Sequence, residues 1–336
     1  MTHLIAGYDI GGTKARLALF ERSSSHISPT PIASSSRSIR QDTSPAAILS
    51  TCYEMLLDML QDHEHLDISM VSSAGFAIAA QLDANQKRIL NAPNLGWKNL
   101  DLAPLLTTHF GDSIHTTIAN DLNALLIGEI AKNHPNLKHA LMVSIGSGVG
   151  GAILSNGHLM LGARGQAAEI GHVKVADHTT GKHCGCGERG CLEAYAGGVH
   201  LEQAVHDLIT HTQPSWKDLV LHQDASNTSL DGVTIDLHAA DKISPEYPEL
   251  LQIFEVASSH LARAIASACT MLNPEALLLG GGVWNHCVNF QKLLRHKLAP
   301  QVLFVAREHL DIVEFSPSNH IAPLGAAILS MDTHHS

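Results

Sequence analysis

Apolar and polar positions follow two rhythms along this chain. Residues 4–10 form a short apolar run ending in Asp9 and Ile10, and residues 15–20 form another, so the pair predicts a hairpin around the turn Gly11-Gly12-Thr13-Lys14. Residues 23–38, dense in Ser, Thr and Pro, read as an exposed connection. Leu49, Cys52, Tyr53, Leu56, Leu57 and Leu60 recur at helical spacing behind Ser44-Pro45, an N-cap and first-turn proline, which predicts a helix from 45 to about 62. Residues 71–80 read as a buried strand or strand plus loop, and residues 91–97 as a loop. A strand over 114–119 leads to Asn120-Asp121, where Leu122, Leu125, Leu126 and Ile130 begin a helical apolar face. Side chains at such junctions are often displayed into clefts, although Asp121 could equally be a plain N-cap.

The opening pattern returns. A strand over 140–145 runs into Gly146-Ser147-Gly148-Val149-Gly150-Gly151, and a further strand covers 152–154. Two strand–glycine turn–strand units suggest related halves, each starting with a phosphate-cradling hairpin. The second turn also fits G-x-G-x-x-G, but a dinucleotide site needs a helix next, and here a strand and the Asn156-Gly157 turn follow. No G-x-x-x-x-G-K-[ST] loop occurs. Phe254, Ala257, Leu261, Ile265, Ala268 and Leu272 mark a long helix ending at Asn273-Pro274. A strand over 276–279 then meets Gly280-Gly281-Gly282, which permits close approach by a flat ligand or simply turns the chain. A small-residue helix opens at Pro323, while about 201–250 is helical in parts with no chemical motif.

Candidate chemistry is densest between Glu169 and Glu193. Glu169-Ile170-Gly171-His172 precedes Cys184, Cys186 and Cys191, three of the six cysteines, which are separated by glycines. Thiolate and imidazole suit tetrahedral zinc, and four ligands close a structural site. His172, Cys184, Cys186 and Cys191 make such a set; His178 and His183 are other candidates for the imidazole, and ordinary thiols are the alternative for the cysteines. A disulfide across one residue would be strained.

Composition narrows the partners. The 336 residues suit two domains, and aromatics at 4% leave the cores to Leu, Ile, Val and Ala. Net charge of −11 with no basic block argues against nucleic acid or an anionic membrane as partner. No stretch reads as a signal peptide or a bilayer span, so a reducing cytoplasm is expected. The 24 histidines read mostly as surface residues whose charge changes near pH 6.5.

Taken together, the motifs resemble the ROK sugar kinases of the actin-like ATPase fold. The matching stretches are Asp9 with its glycine turn, Asn94-Leu95-Gly96-Trp97, Asn120-Asp121, the second glycine turn, Glu169-Ile170-Gly171-His172, the Cys-x-Cys-Gly-x-x-Gly-Cys-Leu-Glu run and Gly280-Gly281-Gly282. They occur in the family's order and leave out only about 200–250. The resemblance implies a two-domain α/β fold with its active site in a cleft. The expected N-terminal domain is 1–119, completed by a helix over about 322–336, and the C-terminal domain is 120–321 with a zinc loop over 172–191.

The resemblance also implies roles. Asp121 is the base for the sugar hydroxyl, and Asn94, Asn120, Glu169, His172 and Glu193 bind sugar hydroxyls or shape that pocket. Asp9 lies near the Mg²⁺ of Mg-ATP. Gly11, Gly12, Thr13 and Lys14, with Gly146, Ser147, Gly148, Val149 and Gly150, hold phosphates, and Gly281 and Gly282 flank the adenosine. His172 would put one ring nitrogen on a structural zinc and turn the other toward the sugar. Phosphoryl transfer asks mainly for such positioning and charge stabilisation.

The expected activity is ATP-dependent phosphorylation of the 6-hydroxyl of glucose by a homodimer. N-acetylglucosamine, N-acetylmannosamine or fructose would use the same residues. A non-catalytic sugar-binding regulator is the reading from another class. The family's repressors carry an N-terminal helix-turn-helix, whereas here the Asp9 loop begins almost at Met1. One stretch and one further residue depart from the family. Alanines occupy Gly75-Phe76-Ala77-Ile78-Ala79-Ala80-Gln81 where Pro-Gly is common, and Ala168 replaces the glycine before Glu169.

Overall fold

The computed structural model describes residues 3–23, 26–223, 233–315 and 318–331. Contacts divide the chain into two compact units, one of Met1–Lys138, Ala152–Ala168 and Pro317–Ser336, the other of His139–Gly151 and Glu169–Ser316. The first unit thus extends past the expected boundary at 119. The reason is the helix Asp121–Asn133, which packs along the helix Ile321–Leu329. Their backbones meet closely enough that a Cβ on Gly325 would lie 1.7 Å from the Ala124 carbonyl oxygen. Of the final helix expected over about 322–336, residues 332–336 lie outside the described residues, as do 224–232 within the stretch without motifs.

In the first unit, the predicted hairpin is present as the antiparallel strands His3–Ile10 and Lys14–Ser23, with Asp9 opposite Arg16 across the turn. The strand Val71–Ile78 adds parallel to His3–Ile10, and His115–Asn120 adds parallel to it in turn. Such parallel strands are buried on both faces, and Val71–Ile78 is buried at every position but Ser72, which is half-buried. The helix Pro45–Gln61 buries Ile48, Leu49, Cys52, Met55 and Leu56 in the core. There Tyr8 stacks on Phe76 at 4.6 Å and donates its hydroxyl to the Cys52 carbonyl at 3.0 Å.

The sheet's other face receives the helix Ile321–Leu329, and the glycines facing it make the approach possible. A Cβ on Gly75 would fall 1.9 Å from the Ala326 carbonyl oxygen. Gly75→Ala is therefore expected to destabilise the protein by about 1–3 kcal/mol, as overpacking does. A urea midpoint equal to wild type would show that the helix can retreat without loss.

Three local expectations need correction. The stretch 23–38 is not only a connection: Ala33–Ser38 is a strand paired with Lys14–Ser23, its side chains mostly exposed. An edge strand can pair through its backbone with no apolar period to announce it. Residues 91–97 are likewise part of a ribbon, with Arg88–Ala92 against Trp97–Asp101 and a turn at Gly96, φ 73°. Ser44 stands at the N-cap position, but its side chain makes no capping bond.

In the second unit, the strand Ala140–Ile145 pairs parallel with Ala276–Gly280, which pairs parallel with Asp311–Glu314. The helix Pro248–Leu272 buries Phe254, Ala257, Leu261 and Ile265 of the six residues that marked it, while Ala268 and Leu272 are half-buried. It ends at Asn273, whose left-handed φ of 45° stops the helix and whose amide bonds Cys269. Among the described residues no helix is long and apolar enough to cross a membrane.

Candidate active site

Each unit gathers part of the predicted site. In the first, Asp9, next to last in its strand, lies beside Arg16, whose Nη1 donates to Oδ2 at 2.6 Å. Burial raises the Asp9 carboxyl, and the Arg16 guanidinium works against that rise. Gly11 closes the turn by donating its amide to the Lys14 carbonyl at 3.0 Å, while Thr13 and Lys14 are exposed. Asn94 packs under this turn, its Cβ 3.1 Å from where a Cβ on Gly12 would be.

Asn120, not Asp121, caps the helix Asp121–Asn133. Its side-chain oxygen accepts from the Leu122 and Asn123 amides at 3.0 and 3.1 Å, and its Nδ2 donates to the Ala80 carbonyl at 3.1 Å. Asp121 occupies the first turn, and its carboxylate sits where the helix dipole favours an anion. It lines a cavity of ≈ 220 Å³ with Asp9, Arg16, Ser318 and Asn319. Arg16 was missed from the sequence. Its only signal is its place opposite Asp9 once the hairpin register is known.

In the second unit, the ligand atoms of His172, Cys184, Cys186 and Cys191 lie within 4.8 Å of one another. Cys186 Sγ is 3.8 Å from Cys191 Sγ, and Cys184 Sγ is 3.7 Å from His172 Nδ1. A tetrahedron with zinc's arms of about 2.0–2.3 Å has edges of roughly 3.5–3.8 Å, so the donor set fits that ion. His183 turns away to bond Arg189, which leaves His172 as the imidazole of the cluster. Two isolated bridges, Lys174 with Cys191 and His183 with Arg189, staple the loop. Gly187 and Gly190 turn it at φ 92° and 74°. Burial pushes the Cys184 thiol up to about 12, so a thiolate there needs a cation beside it. Lys174 supplies one cation to the cluster, with Nζ 3.2 Å from Cys191 Sγ.

The rest of the predicted wall adjoins the cluster. His172 Nε2 faces Glu169 Oε2 at 3.8 Å, on the side away from the cysteines. Burial raises the Glu169 carboxyl, His172 opposes that, and Glu193 adds to it. Ala168, immediately before, holds the left-handed φ of 67° that a glycine would adopt without strain. Glu193 starts a short helix and accepts the Val149 amide on Oε2 at 3.0 Å. The glycine turn over 146–150 thus joins the cluster's surroundings. On its other side, a Cβ on Gly281 would meet the Ile145 carbonyl oxygen at 2.6 Å, and Gly281 has φ 103°. Gly282 begins the helix Gly282–His286.

The ROK family model matches residues 5–333. The chain belongs to the ROK family. Among curated ROK relatives, the glucokinase of Halalkalibacterium halodurans is 28% identical over 278 residues, 82% of this chain and 79% of that protein. The Escherichia coli DNA-binding transcriptional regulator NagC is 24% identical over 249 residues, 74% of this chain and 57% of that protein. The ROK family glucokinase of Streptomyces griseus, solved with glucose and AMPPNP, superposes with a TM-score of 0.72 at 23% identity, covering 98% of this chain and 99% of that one. The fold of this ROK protein is accordingly the actin-like ATPase sugar-kinase fold expected from its motifs.

Proposed function

We propose that this ROK-family sugar kinase transfers the γ-phosphoryl group of ATP to the 6-hydroxyl of glucose, with Asp121 as the base. The observation that carries this reading is Asp121 in the first turn of its helix, lining one cavity with the Asp9–Arg16 pair while Asn120 does the capping. The 6-hydroxyl proton passes to the Asp121 carboxylate as the sugar oxygen bonds to phosphorus and the bond to ADP breaks. Glu169, His172 Nε2, Glu193 and Asn94 offer the acceptors and donors that fix sugar hydroxyls. Asn120 serves this site by holding the helix start.

The turns at Gly11, Gly12, Thr13 and Lys14 and at Gly146, Ser147, Gly148, Val149 and Gly150 would cradle phosphate, with the Gly11, Gly146 and Val149 amides shaping the turns through their bonds to Lys14, Gly148 and Glu193, and Gly281 and Gly282 make room for the adenosine. Asp9 would hold the Mg²⁺ that accompanies ATP, an ion that offsets phosphate charge in an acidic protein. Zinc would be structural in the closed Cys3His set. A reducing cytoplasm keeps those thiols available, and a homodimer is carried with this reading.

A coupled assay of ATP consumption across glucose, N-acetylglucosamine, N-acetylmannosamine, mannose and fructose tests the proposal. The highest kcat/KM is expected with glucose; an N-acetylhexosamine in first place would transfer the reading to that sugar. No sugar-dependent ADP release with any of them would favour the regulator reading that the likeness to NagC supplies.

Arg16 carries its own expectation. Its guanidinium is the cation of the Asp9–Asp121 cavity, and hydrogen bonds to charged groups are worth about 1.5–3 kcal/mol. Arg16→Ala should lower kcat/KM for ATP by roughly tenfold or more while the sugar dissociation constant stays near wild type. An equal loss of both affinities would mean that Arg16 only supports the fold.

A further inference from the structure

The cysteine cluster and the second glycine turn are joined by more than proximity. Glu193 reaches both, with Oε2 accepting the Val149 amide at 3.0 Å and Oε1 3.8 Å from Cys184 Sγ. Gly148 leaves the space that this carboxylate fills, since a Cβ there would lie 2.3 Å from Oε2. On the other flank, Gly171, next to the ligand His172, lies so close to the turn that a Cβ would be 2.0 Å from the Val149 carbonyl oxygen. Downstream of Glu193, the Gly198 and Val199 amides donate to the Gly146 and Ser147 carbonyls at 2.8 and 3.0 Å. Residues 146–149 are therefore held by the segment beside His172 and by the segment that follows Cys191. That hold fixes the backbone of the turn.

We propose that Glu193 is a positioning residue through which the metal cluster sets the conformation of the 146–150 turn, so that zinc and nucleotide bind with positive coupling. This rests on the assignment of that turn to ATP phosphates. An ion on Cys184 and His172 fixes the loop that presents Gly171 and the approach to Glu193; Glu193 then fixes Val149. Coupling of this kind is reciprocal: if zinc tightens nucleotide, nucleotide must tighten zinc by the same factor. The effect of zinc loss should therefore reach beyond the sugar wall.

The experiment uses the zinc-loaded protein, with a competing chelator to measure zinc retention in the presence and absence of Mg-ADP, and calorimetry for Mg-ADP affinity. Mg-ADP is expected to strengthen zinc retention in the wild type. Glu193→Ala, which removes the acceptor, should weaken Mg-ADP by roughly tenfold or more and abolish its effect on zinc. Glu193→Gln keeps an acceptor for the Val149 amide and should restore Mg-ADP affinity to within about threefold of wild type, even where sugar affinity is lost.

Wild-type ADP affinity unchanged in Glu193→Ala, or zinc retention indifferent to Mg-ADP, overturns the proposal. If Glu193→Ala does not fold, the wild-type zinc measurement decides alone. A wild type that binds no Mg-ADP would instead remove the kinase assignment. The hold on the turn would then be judged by hydrogen exchange at the Val149 amide, expected to quicken in Glu193→Ala; unchanged exchange there would overturn the hold as well.

Discussion

Asp121→Asn is expected to leave a folded protein that binds sugar and ATP but phosphorylates at least roughly a hundredfold more slowly, the range in which a lost general base falls. The asparagine keeps the shape of the first helical turn, and the cap is untouched because Asn120 provides it. The loss should therefore appear in kcat, with the KM for ATP close to wild type, since the base acts in the transfer and not in nucleotide binding. Sugar-dependent ADP release, read beside a melting curve, checks both halves. A variant with a tenth or more of wild-type kcat would remove Asp121 from the role, and Asp9 would be the next carboxylate to replace.

Removal of the metal is expected to have the other large effect, on stability as well as binding. One zinc per chain should be found in the protein, and Cys191→Ser should lose it, because Cys191 is fully buried in the cluster and a serine hydroxyl is a poor zinc ligand. Apart from an ion, the loop is held by turn hydrogen bonds, such as the Cys184 amide to the Glu188 carbonyl and the Gly190 amide to the Lys182 carbonyl, and not by a regular helix or strand. Its ladder is two isolated bridges, and Cys186, Gly185 and Gly187 are exposed. Ligand deprotonation and loop ordering are linked to the ion, so stripping it should lower stability by several kcal/mol, roughly, and move the melting temperature down. Sugar affinity should fall with it, because Glu169 and His172 share the same short segment. Unchanged melting and unchanged sugar affinity after the zinc has been extracted would make the cluster an ornament of the surface.

Much of this was legible in the chain. Short-range spacing carried the cysteine cluster, the two glycine turns, the long helix ending at Asn273 and the strand-to-helix junction at Asp121, since each is a local pattern with a local physical cause. The family resemblance then placed roles on those positions. Edge pairing was not legible: nothing in the polar residues of Ala33–Ser38 distinguishes a backbone-paired strand from a loop. Nor was the choice between Asn120 and Asp121 as cap, because both residue types cap equally well and only the backbone bonds tell them apart.

The sequence by itself therefore determined the family, the fold class and the identity of the chemical groups, because those follow from which residues stand at which spacing. Only the tertiary structure decided how the groups divide their work. Arg16 becomes the partner of Asp9 through strand register. His172 turns Nδ1 toward the cysteines and Nε2 toward Glu169. Glu193 meets Val149, a residue 44 positions away in the chain. Such contacts depend on where distant backbones come to rest, and no periodicity along a single chain encodes that distance.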